Sequence, residues 1–125
     1  TRRSSDLTVG TRGGNFVVEN SDLLIVLGCR LNIRQISYNY KNFAKNAYKI
    51  VVDIDENELK KPTICPDMPI HADLLDVVNA LNSTDYMQNP EHAQWLSWCR
   101  GVDSKYPAAI PEYFDNNYPL FLKVN

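Results

Sequence analysis

The amino-acid sequence predicts an α/β protein with a parallel, Rossmann-like sheet, of which this chain supplies about three strands. Apolar runs of strand length alternate with segments whose apolar residues repeat at helical spacing. This order is typical of parallel sheets, because parallel neighbours need a long crossover connection. A further helix and a proline-rich stretch follow the third strand and are expected to form a helical linker.

The first strand is predicted at Leu23–Gly28, after a flexible loop at Gly10–Gly14 and a short helix at Asn15–Asn20. The strand is apolar without alternation, which indicates burial on both faces. One helix should then lead to the second strand, because apolar residues recur there at helical spacing. These residues are Ile36, Tyr40, Phe43, Ala44 and Ala47.

The second strand is predicted at Ile50–Ile54 and the third at Ile70–Ala72. Between them, Asp55 and Glu58 have the spacing of a capping box, in which the aspartate caps a helix and the glutamate reaches back to it. Pro62 should end that helix, since proline interrupts helical hydrogen bonding.

Two helices are predicted after the third strand, with Asp73 as the cap of the first and Asn89 as the cap of the second. Pro90 suits the first turn of the second helix, and Gly101 should help to end it. Beyond Tyr106 the sequence has no periodicity, and we expect a connector. The apolar faces of the two helices are formed by Leu74, Val77, Val78, Leu81, Trp95, Trp98, Cys99 and Val102.

The composition is that of a soluble globular protein, with 44% hydrophobic residues, 22% charged residues and a net charge of −2. The near-neutral charge argues against nucleic acid as a partner, and no apolar run is long enough to span a membrane. Three cysteines without a CxxC pair favour a reducing cytoplasm over a disulfide framework or a zinc site. Because the predicted sheet is thin and the chain begins with threonine, we expect a part of a larger protein.

Polar residues follow each predicted strand, where open parallel sheets bind their ligands. Arg30 suits a phosphate, Asp53 can accept both hydroxyls of a ribose, and Asp73 stands at a strand-to-helix turn. Gly10–Gly14 adds backbone N–H groups suited to an anion. Together these groups favour an adenine-nucleotide crevice, although the GxGxxG fingerprint is absent. The alternative is that the same residues are only turns and helix caps.

No catalytic or metal-ligating residues are predicted. Cys29 follows a buried strand, but no histidine can be placed beside it. His71 falls in a short strand, where a core or interface role is expected, and His92 should face solvent from its helix.

Three stretches resemble the central domain of thiamine-diphosphate-dependent enzymes, most closely that of acetolactate synthases. They read GTRGGNFVVENSDLLIVLGCRLNIRQ, FAKNAYKIVVDIDENELKKP and PIHADLLDVVNAL, and the resemblance covers about residues 9–82. It implies a six-stranded, three-layer (DHS-like) domain, of which residues 1–82 would be the second half. Residues 83–125 would then be a helix and linker leading to the cofactor-binding domain.

The resemblance also implies a parent enzyme that decarboxylates a 2-keto acid and transfers the carbon unit, using thiamine diphosphate and Mg²⁺. The family's catalytic glutamate and its Gly-Asp-Gly…Asn motif belong to other domains, so this chain alone should not catalyse the reaction. Its expected partners are the remainder of the parent enzyme and, because family members are dimers or tetramers, further copies of itself.

In acetolactate synthases this domain cradles FAD, and many relatives hold an ADP-like ligand or none. Two departures from the family pattern argue against FAD as the ligand. Asn32 replaces an aspartate, and Leu7-Thr8-Val9 replaces Gly-Met-His. The alternative is a non-catalytic packing or oligomerisation module with no ligand, in which Trp95, Trp98 and the tyrosines anchor interfaces. The cofactor-binding positions carried over are Gly28, Cys29, Arg30, Leu31, Asn32, Asp53, Ile54, Asp73 and Leu74.

Overall fold

A computed structural model describes residues 10–87 and 89–108 and contains a three-stranded parallel sheet. The strands are β1 (Leu23–Leu27), β2 (Tyr48–Asp53) and β3 (Met68–His71), and β2 lies in the centre. Ile25 lies opposite Ile50 in the sheet. Helices flank these strands, so the predicted α/β class with a partial Rossmann-like sheet is confirmed.

Three of the helices begin at caps that were predicted from the sequence. Asp55, Asp73 and Asn89 each accept a hydrogen bond from a backbone N–H two residues on, at 2.9, 2.8 and 3.0 Å. None of the helices within the described residues is long and apolar enough to cross a membrane. The helices are α1 (Arg12–Asn20), α2 (Ile33–Ile36), α3 (Glu56–Leu59), α4 (Leu74–Asn82) and α5 (Pro90–Lys105), with a 3₁₀ turn at Tyr40–Asn42.

The loop predicted at Gly10–Gly14 is wrong, because α1 already begins at Arg12. Thr11 caps this helix by accepting a hydrogen bond from the Gly14 N–H at 3.1 Å. Glycine suits the first turn for a packing reason: a Cβ on Gly13 would lie 3.4 Å from the Cα of Asp103 in α5. Gly13 thus lies where α1 and α5 approach each other.

The single helix predicted between β1 and β2 is also wrong. Helix α2 stops at Ser37, whose φ of 68° lies in the left-handed region. The following residues are poor helix formers, and the Asn39 N–H bonds locally to the Ser37 hydroxyl at 3.4 Å. Three of the apolar residues assigned to this helix are nevertheless buried. Their spacing therefore predicted burial correctly, but it did not predict that the helix is interrupted. They are Ile36, Ala44 and Ala47.

Burial of β1 on both faces is not observed within the described residues. Val26 packs with Val51 of β2 and Leu59 of α3 in the core on one face. The opposite face, which we call the open face of β1, carries the side chains of Leu23, Ile25 and Leu27. These side chains are 47, 49 and 39% exposed, respectively.

Two smaller expectations are corrected as well. Gly101 does not end the last helix, because α5 continues to Lys105. The capping box at Asp55 is incomplete, since Glu58 pairs with Lys61 instead of reaching back. A complete box occurs in α2, where Asn32 and Gln35 satisfy each other's backbone N–H groups. The predicted connector falls largely on residues 109–125, which lie outside the described residues.

Candidate nucleotide site at the strand ends

A cavity of about 290 Å³ lies at the carboxyl ends of all three strands. We call this cavity the strand-end crevice. Because the strands are parallel, their carboxyl ends meet at one edge, and residues far apart in sequence come together there. Six of the nine carried-over positions line it. The lining residues are Gly28, Arg30, Val52, Asp53, Ile54, Ala72, Asp73 and Leu74.

Gly28 forms the turn at the end of β1. Its φ is +57°, a left-handed conformation that side-chain-bearing residues disfavour, and its N–H donates to the Val52 carbonyl at 2.9 Å. A Cβ built on Gly28 would lie 3.5 Å from Cδ2 of Leu74. The turn therefore favours glycine for its backbone conformation, since a Cβ there would make only an ordinary contact with Leu74.

Asp53 is the last residue of β2 and is only 8% exposed. Its Oδ1 accepts a hydrogen bond from the Asp55 N–H at 2.9 Å. A carboxylate offers further acceptor sites on its two oxygens, so Asp53 can also accept hydroxyl groups from a ligand. Beside it, the exposed Ile54 has its carbonyl held 2.8 Å from Nε2 of His71.

Asp73 contributes a second carboxylate at the N-terminus of α4. Its Oδ1 accepts the Leu75 N–H at 2.8 Å, which confirms that Asp73 is a helix cap. The cap and ligand roles are compatible, because Asp73 also lines the crevice.

Arg30 supplies the positive charge at the rim of the crevice. Its side chain is 74% exposed, and Nε lies 3.9 Å from Oε1 of Glu58. Lys61 donates to the Arg30 carbonyl at 2.9 Å and also pairs with Glu58. The loop that carries Arg30 is thus fastened to the segment around α3.

The remaining carried-over positions do not line the crevice. Cys29 and Leu31 line a separate groove of about 410 Å³ along β1, and Cys29 Sγ lies 3.5 Å from the Gln35 side-chain amide. Asn32 caps α2 by accepting the Arg34 N–H at 3.0 Å. Ligand contact by these three residues stays a prediction.

Val52 and Ala72 also line the crevice, although neither was among the predicted binding residues. Both are apolar residues next to a strand end, and their position relative to Asp53 and Asp73 was the available signal. Among residues 10–87 and 89–108, no three His, Cys, Asp or Glu side chains are grouped so that they could hold a metal ion.

The sequence around these strand ends is similar to that of known proteins. Residues 6–81 match the model of the family described as "Thiamine pyrophosphate enzyme, central domain". The chain is 32% identical over 118 residues to a probable acetolactate synthase large subunit from Methanococcus aeolicus. It is 35% identical over 106 residues to the acetolactate synthase isozyme 1 large subunit from Escherichia coli (strain K12). A third relative, the acetolactate synthase large subunit from Cyanidium caldarium, is 36% identical over 115 residues.

These alignments cover most of this chain and a small part of each relative. They include 89, 85 and 88% of the chain, but only 19, 18 and 19% of the respective relatives. The chain therefore spans about one fifth of the length of the curated relatives it matches. The family match covers more than half of the chain and includes all three strands and the strand-end crevice. The chain belongs to the thiamine pyrophosphate enzyme central-domain family.

Proposed function

We propose that this chain is part of the central domain of a thiamine-diphosphate-dependent, acetolactate-synthase-like enzyme, and that its strand-end crevice holds the adenine-nucleotide portion of FAD or ADP. One observation carries the proposal: Arg30, Asp53 and Asp73 come from three different strand ends and line one crevice. A ligand with phosphates at one end and a ribose near its middle matches one cation followed by two carboxylates.

Each charged group has a role suited to its position. Arg30 meets phosphate oxygens from the rim, since a guanidinium presents several donors to an oxyanion. Asp53, at the centre of the sheet, accepts the ribose hydroxyls. Asp73 and the N-terminus of α4 face the remaining polar edge of the nucleotide.

The size of the crevice supports an adenosine-sized occupant. Its volume of about 290 Å³ is close to the lower limit of roughly 300 Å³ for small-molecule pockets. An adenosine moiety suits this space, and the flavin of FAD would extend beyond it. The residues present therefore fit the end that FAD and ADP share.

The chemistry of the parent enzyme is assigned to its other parts. Bound thiamine diphosphate, with Mg²⁺, would stabilise the carbanion formed when a 2-keto acid is decarboxylated. The residues of this chain hold and orient a nucleotide, and none of them is proposed to act on the substrate. We further propose that the parent enzyme is cytoplasmic.

The proposal predicts a specific loss of binding when Asp53 is replaced by asparagine. Asparagine retains a side-chain oxygen for the Asp55 N–H and removes the charge that the ribose hydroxyls would meet. Hydrogen bonds to charged groups contribute about 1.5–3 kcal/mol, so ADP affinity should fall at least tenfold. Calorimetric titration of the full chain with ADP, and separately with FAD, measures the effect.

The matched control is Asp85→Asn, which removes the same charge from an exposed residue outside the crevice. It should leave both affinities within twofold of the unmodified chain. Equal affinities in the two variants would contradict the role of Asp53.

A second candidate function is packing or oligomerisation through β1. Within the described residues β1 is an edge strand. The Tyr48 N–H donates to the Asp22 carbonyl, and the Gly28 N–H donates to the Val52 carbonyl. The backbone N–H and C=O groups of the even-numbered residues of β1 therefore point toward β2. The backbone groups of the alternate residues therefore point toward the free edge, and their side chains form the open face of β1.

We propose a second copy of the chain as the partner at this edge. In an antiparallel pair with its two-fold axis at Ile25, each Leu23 lies opposite Leu27 of the other copy. All outward-pointing backbone groups of β1 then find partners, and every opposing side chain is aliphatic. The segment also lacks the lysines and prolines that protect edge strands from such pairing.

A further inference from the structure

We propose that Lys61 is a positioning residue for the strand-end crevice, which fixes the loop from Gly28 to Asn32 and thereby places Arg30 at the rim. The inference rests on the proposed nucleotide site and adds a residue that does not itself line the crevice.

The contacts of Lys61 join two distant parts of the chain. Its ammonium group donates to the Arg30 carbonyl at 2.9 Å, across 31 positions in sequence. The same ammonium pairs with Glu58, whose side chain is only 14% exposed. Glu58 in turn has Oε1 3.9 Å from Nε of Arg30. Lys61 is therefore held on one side by Glu58 and binds the loop on the other.

The loop needs such an external contact because its backbone is in a disfavoured conformation. Leu31, the residue after Arg30, has a φ of 42°, a left-handed value that residues with a side chain rarely adopt. Conformations of this kind persist when surrounding contacts enforce them. The bond from Lys61 to the carbonyl just before Leu31 is a contact of that type.

A more mobile loop should weaken only the contacts with the phosphate groups of the ligand. Arg30 is assigned to the phosphates, whereas Asp53 and Asp73 extend from other elements and do not depend on this loop. A loop that samples several conformations must be ordered again when a phosphate binds, which reduces affinity. The loss should therefore appear with ADP and not with adenosine, which lacks phosphates.

The experiment titrates the full chain with ADP and with adenosine and compares Lys61→Met with Lys60→Met. Lys60 is an exposed neighbour whose ammonium lies 2.8 Å from Glu56, so its replacement removes the same charge without touching the loop. Lys61→Met should weaken ADP binding about threefold to tenfold and change adenosine binding by less than twofold. Lys60→Met should change both by less than twofold, and Lys61→Arg should restore most of the ADP affinity.

Each contrary outcome has a distinct meaning. Unchanged ADP affinity in Lys61→Met, or equal losses for ADP and adenosine, would overturn the positioning role and leave the nucleotide site standing. No ADP binding by the folded, unmodified chain would overturn both proposals. If circular dichroism shows that Lys61→Met is unfolded, Glu58→Gln/Lys61→Met is compared with Glu58→Gln alone, because Glu58 also contacts Arg30 and both variants lack that charge.

Discussion

Replacing Gly28 with alanine should lower the free energy of unfolding by about 1–2 kcal/mol, because φ of +57° places a Cβ against the backbone in the left-handed region. The new Cβ would meet Leu74 at an ordinary contact distance of 3.5 Å, so the cost arises from the backbone and not from a steric clash. Urea unfolding of the full chain, followed by circular dichroism, measures the difference.

Gly101→Ala is the control, and its effect should have the opposite sign. Gly101 lies inside α5, and a Cβ there would meet nothing within 4 Å. Alanine should therefore stabilise the chain by about 0.5–1 kcal/mol through helix propensity. A neutral or stabilising Gly28→Ala would contradict the left-handed turn at the end of β1.

Replacing Ile25 with lysine should convert a dimer into a monomer. The change places a charge at the centre of the open face of β1, where the proposed two-fold axis brings two copies of residue 25 together. Two like charges directly opposite each other destabilise a strand pair. Sedimentation velocity of the full chain over a range of concentrations gives the assembly state.

Ile33→Lys is a close control for this substitution. Ile33 lies on α2 and is 44% exposed, compared with 49% for Ile25. The substitution introduces the same charge at a similarly exposed isoleucine outside the sheet. The Ile33→Lys variant should therefore remain a dimer. A monomeric unmodified chain, or equal dissociation of both variants, would contradict pairing through β1. The two proposed functions have separate readouts, because sedimentation velocity reports assembly and calorimetric titration reports nucleotide binding.

The sequence was most informative where local chemistry decides local structure. The caps at Asp55, Asp73 and Asn89 were predicted because a side chain that satisfies a free N–H group acts within two residues of itself. The order of strands and helices was also predictable, since hydrophobic periodicity changes between these elements. Parallel pairing brings the strand ends together, which is why six of the nine predicted positions line one cavity, whereas nucleotide binding there stays a prediction.

The errors arose where distant contacts or backbone reversals decide the outcome. The glycines of α1 resembled a loop, because the approach of Asp103 is not visible in sequence. The helix before β2 kept its apolar spacing although Ser37 interrupts it. Gly28 and Leu31 both have a positive φ, and sequence order alone does not reveal toward which side the intervening residues point.

The apolar run of β1 raises a different issue. Its lack of alternation predicted burial on both faces, and the described residues cover only one. Pairing with a second copy would place aliphatic side chains beside those of the open face, but it adds no layer over that face. Among the described residues, the prediction of burial on both faces is therefore fulfilled for one face only.

The most direct test of the central claim is to locate ADP on the full chain by amide chemical-shift mapping of ¹⁵N-labelled protein. Saturable shifts are expected at Gly28, Asp53, Asp73 and the residues beside them. A competing location is the cavity of about 410 Å³ on α5, where Phe16, Trp98 and Tyr106 present aromatic rings. Shifts confined to that cavity, or no shifts with a folded chain, would contradict a nucleotide site at the strand ends.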